Sequence, residues 1–306
     1  MIVLSLWGEY ADVLAKGFFQ RALIESVLIG ILCGIVGTFV VLRGYAFIGD
    51  ALAHATFPGV AIAYLWRASV LGGALAAGFV TSFLIGWVAR HRKVSNDTAI
   101  GVLFAGAFAL GVVIVSRATT YTKDISSLLF GDVIGVSQRD IVILLVTGVL
   151  IVGTVAFCYR DLLLAAFDPT FAAAIGRPVG LIDALTLGLL TLTIVVGLQT
   201  VGNILIVALV VTPSATARLL TDRVPVMMLL GATIGGLSGA VGLLASYPLE
   251  LAPGATIVIV ATLAFFLALA LSPKHGWLFS AIERRRKVED GRRMVKVPLT
   301  QDWEKR

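Results

Sequence analysis

Long apolar segments separated by short polar ones dominate the pattern of this chain. Nine such segments, each of about 18 residues or more, follow one another between residues 18 and 272. Apolar segments of this length cross a bilayer as α-helices, so the pattern predicts an all-α polytopic membrane protein with about nine (eight to nine) transmembrane helices. The predicted spans are 18–42, 46–66, 70–89, 98–116, 140–158, 181–199, 201–219, 226–248 and 253–272.

The sixth and seventh spans are the least clearly separated. Only Gln199, Gly202 and Asn203 interrupt the apolar sequence between them. These residue types favour a tight reversal between two helices, with a single broken helix as the alternative.

The composition also indicates a membrane protein and leaves almost no sequence for a soluble domain. Of the 306 residues, 58% are hydrophobic and 14% are charged, and the mean hydropathy is +0.99. The two cysteines, Cys33 and Cys158, lie in apolar segments without a CxxC motif, so we interpret them as packing residues.

Basic residues predict the orientation of the chain in the membrane. They cluster after the third span at 90–93, at the exit of the seventh at 218–223 and after the ninth at 284–287. The positive-inside rule then predicts an outer N terminus and a cytoplasmic C terminus.

The same pattern divides the chain into three parts. Residues 1–17 are predicted to form an interfacial segment, residues 18–273 the transmembrane domain and residues 274–306 a basic cytoplasmic tail. The tail holds ten Lys or Arg against five Asp or Glu. The positive-inside rule explains that excess without nucleic acid as a partner.

An acidic and an imidazole side chain lie four residues apart inside the second span. In a helix, this spacing places Asp50 and His54 on one face. Ionisable groups at membrane depth are costly and usually mark an ion or substrate pathway, and a carboxylate with an imidazole can bind a divalent transition metal. We predict that both residues are metal ligands; the alternative is a hydrogen-bonded Asp–His pair that joins two helices.

Two further residues extend this prediction. Pro58 has no N–H and leaves the backbone carbonyl of His54 without its helical donor, and a bound cation is one way to satisfy such an oxygen. Glu250 lies between the eighth and ninth spans, on the predicted outer side. It would guide or coordinate the incoming cation, with a solvated loop acid as the alternative.

The predicted cytoplasmic stretch 161–178 has the pattern of a short amphipathic helix that docks on a partner. Asp168 precedes Pro169, which predicts a helix N-cap, and Gly176 suits the end of the helix. Apolar side chains, Phe167 and Phe171 among them, would face the partner. The alternative is a helix that lies flat on the membrane.

Motifs for hydrolytic chemistry are absent from the sequence. There is no HExxH, no GxSxG and no glycine-rich phosphate-binding loop followed by Lys and Ser or Thr. We therefore predict that the chain is not an enzyme. If ATP drives its action, a separate subunit supplies the nucleotide site.

Five sequence blocks together resemble the permease subunits of the ABC-type manganese, zinc and iron importers, the ABC-3 family. The resemblance covers residues 18 to 275. The blocks are FFQRALIESVLIGILCGIVGTFVVLRG (18–44), IGDALAHATFPGVAIAYL (48–65), DISSLLFGDVIGVS (124–137), FDPTFAAAIGRPVGLID (167–183) and VGNILIVALVVTPSATARLLTDR (201–223).

The resemblance implies a type II-like importer permease in a bacterial plasma (inner) membrane. Two permease copies, identical or closely related, would pair, each docking one cytoplasmic ATPase at Phe167, Asp168, Phe171 and Gly176. An extracellular or periplasmic protein would deliver the ion, and transport would proceed by alternating access. Asp50 and His54 match the acid and imidazole of the family's second helix. Glu250 stands where the family often has Asp, which puts a direct metal role for it in doubt.

The transported ion would be Mn²⁺, Zn²⁺ or Fe²⁺, with no prosthetic group bound. The absence of His-rich segments and ligand cysteines favours Mn²⁺ slightly. Two other classes remain as alternatives at this point. An ion-coupled secondary transporter would need more intramembrane carboxylates than Asp50, and an intramembrane metalloenzyme would need more His or acidic ligands.

Overall fold

The computed structural model describes residues 15–45, 47–89, 95–116 and 135–272. Within these ranges the chain forms eleven helices and no strand, which confirms the predicted all-α class. The helices are α1 (Gly17–Leu42), α2 (Ile48–Ala55), α3 (Phe57–Leu65), α4 (Val70–Val88), α5 (Asn96–Ser116), α6 (Gln138–Phe167), α7 (Pro169–Ala174), α8 (Val179–Val201), α9 (Asn203–Leu220), α10 (Val224–Ser246) and α11 (Pro253–Leu271).

Eight of these helices are long and apolar enough to cross a membrane. The predicted second span is instead two short helices, α2 and α3, interrupted at Thr56. Pro58 lies in the first turn of α3. Because proline has no N–H, it cannot donate one of the backbone hydrogen bonds that a single continuous helix over this span would need. End to end, the two helices cover residues 48–65, or about 27 Å at the usual helical rise, which is close to the thickness of the hydrocarbon core.

A single residue reverses the chain between α8 and α9. Gly202 has φ +82°, a backbone conformation that side-chain-bearing residues rarely adopt. The helices then fold back on each other: a Cβ added to Gly197 on α8 would lie 2.4 Å from Cδ1 of Ile206 on α9. The predicted tight reversal is therefore confirmed.

Helix α1 is the central element of the bundle. It packs against α6, α8, α9 and α10, and two-thirds of its apolar window is buried. Its contact with α10 is made through backbone atoms: a Cβ on Gly30 would lie 2.3 Å from the Gly235 carbonyl oxygen, and one on Gly34 would lie 2.2 Å from the Gly231 carbonyl carbon. Small residues are what allow helices to approach this closely in a bilayer.

Several predicted features fall outside the described residues. These are residues 1–14 of the interfacial segment, most of the block at 124–137, the basic cluster at 90–93 and the C-terminal tail at 274–306. The three-part division of the chain and its orientation in the membrane stay predictions.

The α1–α10 contact gives a testable expectation for Gly235→Ala. The new Cβ would lie 2.2 Å from the Gly30 carbonyl oxygen, so the two helices must move apart, and overpacking of this kind costs about 1–3 kcal/mol. We expect a lower midpoint of thermal unfolding and less folded protein in detergent.

Gly153→Ala on α6 is the matched control, because no atom lies within 4 Å of its added Cβ. Alanine is the better helix former by about 0.5–1 kcal/mol, so this variant should unfold at the same or a higher temperature. Equal midpoints for the two variants would contradict the proposed close contact.

Candidate metal site

Asp50 and His54 lie on one face of α2, as their spacing predicts. The Oδ1 atom of Asp50 is 3.5 Å from Nε2 of His54. The carboxylate side chain is 53% exposed and the imidazole 26%, so Asp50 forms the open side of the pair. Helix α2 packs against α4, α5, α8 and α9, which brings both residues next to the turn between α8 and α9.

Asn203 completes this cluster, and the sequence reasoning missed it. Its side-chain Nδ2 lies 2.9 Å from Nε2 of His54, although 149 positions separate the two residues. The amide can donate to Nε2 when that nitrogen carries its lone pair, which is the form in which an imidazole nitrogen binds a metal ion. Asn203 is 5% exposed, and within the described residues its Oδ1 has no hydrogen-bond partner.

The contact between Asp50 and His54 lies within one helix, so by itself it does not join two helices. Its length of 3.5 Å is greater than that of an ordinary hydrogen bond. Oδ1 of Asp50 and Nε2 of His54 thus lie side by side, and both are atom types that bind divalent transition metals. Atoms at this separation can bind one ion at bond lengths of about 2.1 Å, with an angle of about 110° between them.

Aromatic rings cover the other side of the imidazole. The ring centroid of His54 lies 5.6 Å from that of Phe104 and 5.7 Å from that of Phe108, both on α5. Phe57 of α3 packs on Phe108 at 5.8 Å. These rings limit the orientations of the imidazole and exclude water from that side.

The interruption between α2 and α3 lies two residues beyond His54. Pro58 has no hydrogen to give the His54 carbonyl, and the Thr56 hydroxyl donates to the Ala53 carbonyl at 2.7 Å. A backbone N–H at the end of α2 donates to the His54 carbonyl instead, so the expectation that this oxygen is left for a cation is wrong.

Glu250 is not brought to the other two predicted ligands. It lies exposed in the turn between α10 and α11, with φ +52° and its N–H donating to the Tyr247 carbonyl at 3.2 Å. Within the described ranges, no group of three or more His, Cys, Asp or Glu residues is close enough to hold a metal ion. A role for Glu250 with the incoming cation stays a prediction.

The predicted docking segment has the local structure that its sequence indicates. Asp168 caps α7, its Oδ1 accepting the Phe171 N–H at 2.8 Å, and Gly176 follows the helix with φ +81°. Phe167 and Phe171 are 58% and 53% exposed, so the apolar side chains face outwards from the protein. The role of this segment stays a prediction.

Comparisons with known proteins identify the family of this chain. The profile of the ABC 3 transport family matches residues 15–272. The chain belongs to the ABC 3 transport family. It is 44% identical to the manganese transport system membrane protein MntC of Halalkalibacterium halodurans over 269 residues, which are 88% of this chain and 92% of that protein.

Other relatives in the family are named for manganese or iron. The chain is 36% identical to the manganese import system permease protein ScaB of Streptococcus gordonii, covering 85% of this chain and 94% of ScaB. It is 37% identical to a Haemophilus influenzae protein named "Probable iron transport system membrane protein", over 85% of this chain and 92% of that one.

Two solved structures have a similar fold. The structure of PsaBC from Streptococcus pneumoniae with a Fab matches at a TM-score of 0.79 and 34% identity, covering 89% of this chain and 98% of that one. An inward-facing metal-chelate type ABC transporter matches at 0.60 and 18% identity, over 82% of this chain and 85% of that one, and shows the fold alone. This ABC 3 chain is therefore a multi-pass transport subunit and not an enzyme, with ATP hydrolysis assigned to a separate subunit.

Asn203 gives a test of the cluster. Asn203→Leu keeps the number and branching of the side-chain heavy atoms but removes both the donor to Nε2 and Oδ1. Loss of a group that orients a ligand typically costs about 10–100-fold in metal affinity, so we expect the KM for metal uptake to rise by that factor. Ile204→Ala, at the exposed neighbouring position, is the control and should leave KM unchanged. An unchanged KM in Asn203→Leu would contradict a role at the site.

Proposed function

We propose that this chain is the permease subunit of an ATP-driven Mn²⁺ importer in a bacterial plasma membrane. The observation that carries the proposal is the Asp50–His54–Asn203 cluster, a carboxylate, an imidazole and an amide inside the transmembrane bundle. Membership of an ABC family argues against the ion-coupled and enzymatic alternatives. The manganese names of the relatives support Mn²⁺ over Zn²⁺, and the iron name of one relative makes Fe²⁺ the second candidate.

The ligand chemistry of the cluster fits a first-row divalent ion. The Asp50 carboxylate attracts the ion, and Nε2 of His54 supplies a nitrogen ligand. Rotation of the Asn203 amide would remove its N–H from Nε2 and present Oδ1 in its place. A small number of ligands keeps the affinity modest, as transport requires, because the ion must also leave.

The exposure of Asp50 supports a second permease copy on that side. A carboxylate that is 53% exposed at membrane depth is costly in lipid and has to face protein or a water-filled path. A second copy of this chain, or a close relative, would cover it and form the other wall of the path. A metal-binding protein outside the cell would deliver the ion.

Alternating access then connects the site to ATP hydrolysis. The cytoplasmic ATPase would bind α7 through Phe167 and Phe171, and its movement would displace α7. Rocking of the helices would close the outer entrance as the inner exit opens, while the cluster itself keeps its ligands.

His54→Ala tests the ligand role directly. It removes the only nitrogen ligand of the cluster, so Mn²⁺ uptake should fall at least tenfold while the protein remains inserted and assembled. Metal content is measured element by element in cells without importers of their own, which also separates Mn²⁺ from Fe²⁺ and Zn²⁺. Val102→Ala, an exposed position on the neighbouring helix α5, is the control. Normal Mn²⁺ uptake by His54→Ala would refute the proposal.

A second experiment tests the docking role of α7. Asp168→Ala with Phe171→Ala removes the N-cap and one exposed aromatic ring, and such a cap is worth about 1 kcal/mol. The ATPase subunit should co-purify at reduced yield, whereas metal affinity should not change. Phe157→Ala on α6 is the matched control, because this ring is 92% exposed but lies about 15 Å along α6 from the end that leads into α7. Unchanged co-purification of the double variant would count against docking at α7.

A further inference from the structure

An ion pair joins the ends of α1 and α8 beside the docking segment. Arg43 follows the last residue of α1, and its Nη1 donates to Oδ1 of Asp183 near the start of α8. The Arg43 side chain is 7% exposed and that of Asp183 is 33% exposed. Within the described residues, Nε and Nη2 of Arg43 have no hydrogen-bond partner, and Asp183 is the one carboxylate that pairs with this guanidinium.

The pair faces a cavity that α7 helps to enclose. The cavity has a volume of about 340 Å³, and Arg43 and Asp183 lie in its wall together with Ala165 and Ala166 of α6 and Pro169 of α7. Tyr45 lies in the same wall, where burial and the Asp183 carboxylate raise the pKa of its phenol. A displacement of α7 therefore changes the walls of the space that the pair occupies.

Each partner of the pair leads along the chain to the metal site. Arg43 is followed by the short connection at 44–47 and then by α2, which carries Asp50 and His54. Asp183 belongs to α8, whose far end turns through Gly202 directly into Asn203. The pair thus joins two chain segments at one end of the bundle. One leads to His54 on α2, the other leads along α8 to Asn203, and these two residues are in contact at Nε2 of His54.

The connection from α7 to Asp183 is also short, and contacts of Arg177 hold it in place. Four residues separate α7 from α8, and within them Nε of Arg177 lies 3.4 Å from Oδ1 of Asp161 on α6. The Arg177 N–H also donates to the Ala172 carbonyl at 3.0 Å, which closes the turn at Gly176. A push on α7 is therefore delivered to the start of α8, where Asp183 lies.

We propose that Arg43 and Asp183 are a positioning pair that transmits the displacement of α7 to α2, and so to the metal ligands. The inference rests on the proposed function, because it takes α7 as the ATPase contact and the Asp50–His54–Asn203 cluster as the metal site. A buried guanidinium is strongly destabilised without its carboxylate, so the two helix ends stay together as α8 moves. Without the pair, α8 moves while α2 stays behind.

The test is the number of Mn²⁺ ions transported per ATP hydrolysed by the full permease–ATPase complex in liposomes. The variants are Arg43→Gln, Asp183→Asn and the double variant, which buries no unpaired charge. Each should lower this ratio at least tenfold, and all three should lower it to the same extent, because two residues that act as a unit are not additive. Arg223→Gln removes an exposed charge from the turn between α9 and α10 and should leave the ratio unchanged.

Two results would overturn the inference: a wild-type ratio in the folded double variant, or effects of the single variants that multiply in the double one. If a single variant does not fold, Arg43→Lys, which keeps the charge pair, should stay within threefold of wild type, and a tenfold loss there would also overturn it. A purely structural role would change the unfolding temperature and the yield but not the ions transported per ATP.

The same preparations separate this inference from the proposed function. The proposed function fails if the wild-type complex does not transport Mn²⁺, or if substitutions in α7 do not change how much ATPase co-purifies. The positioning pair fails when both are intact and only the ratio stays at its wild-type value. ATPase co-purification should be equal for the wild type and for all Arg43 and Asp183 variants.

Discussion

Polar side chains inside a bilayer must find their partners within the protein, and this constraint organises the candidate site. Water is not available at that depth, so an unpaired amide or imidazole costs far more there than at a soluble surface. His54 meets the constraint through Asn203, and the imidazole is held between that amide and two phenylalanine rings. Asp50, whose one ion-pair contact in the described part of the chain is with His54 at 3.5 Å, is 53% exposed, and that is why we look for its partners in an ion and a second subunit.

Close helix packing fixes the positions of these polar groups. Helix α1 contacts α10 almost backbone to backbone, and Ser214 of α9 donates to the Gly34 carbonyl at 3.1 Å. Helix α9 is thereby held against α1, and Asn203 at its first position is held with it. The packing of α1 thus bears on the site, because it holds the helix that begins with Asn203.

Much of the fold follows from the sequence, because a bilayer imposes simple rules. The length of the apolar segments predicts the membrane spans, and the separation of four residues between Asp50 and His54 predicts that both lie on one face of a helix. The rules fail where a single residue changes the geometry: Pro58 divides the second span, which its apolar length alone does not indicate.

Asn203 and Glu250 show the limit of the same reasoning for the site. The contact between Asn203 and His54 spans 149 positions, and no local pattern encodes it. The one usable signal is an amide directly after a glycine in an apolar stretch, which equally describes a turn. Glu250 has the right chemistry for a ligand, but its turn keeps it away from the cluster, and only the tertiary packing reveals this.

The contact between Asn203 and His54 has a consequence for the order of events in transport. Because the Asn203 side chain lies 2.9 Å from Nε2, an arriving ion reaches this nitrogen only as the amide withdraws. Asn203 is the first residue of α9, so loading of the ion is coupled to the position of that helix end.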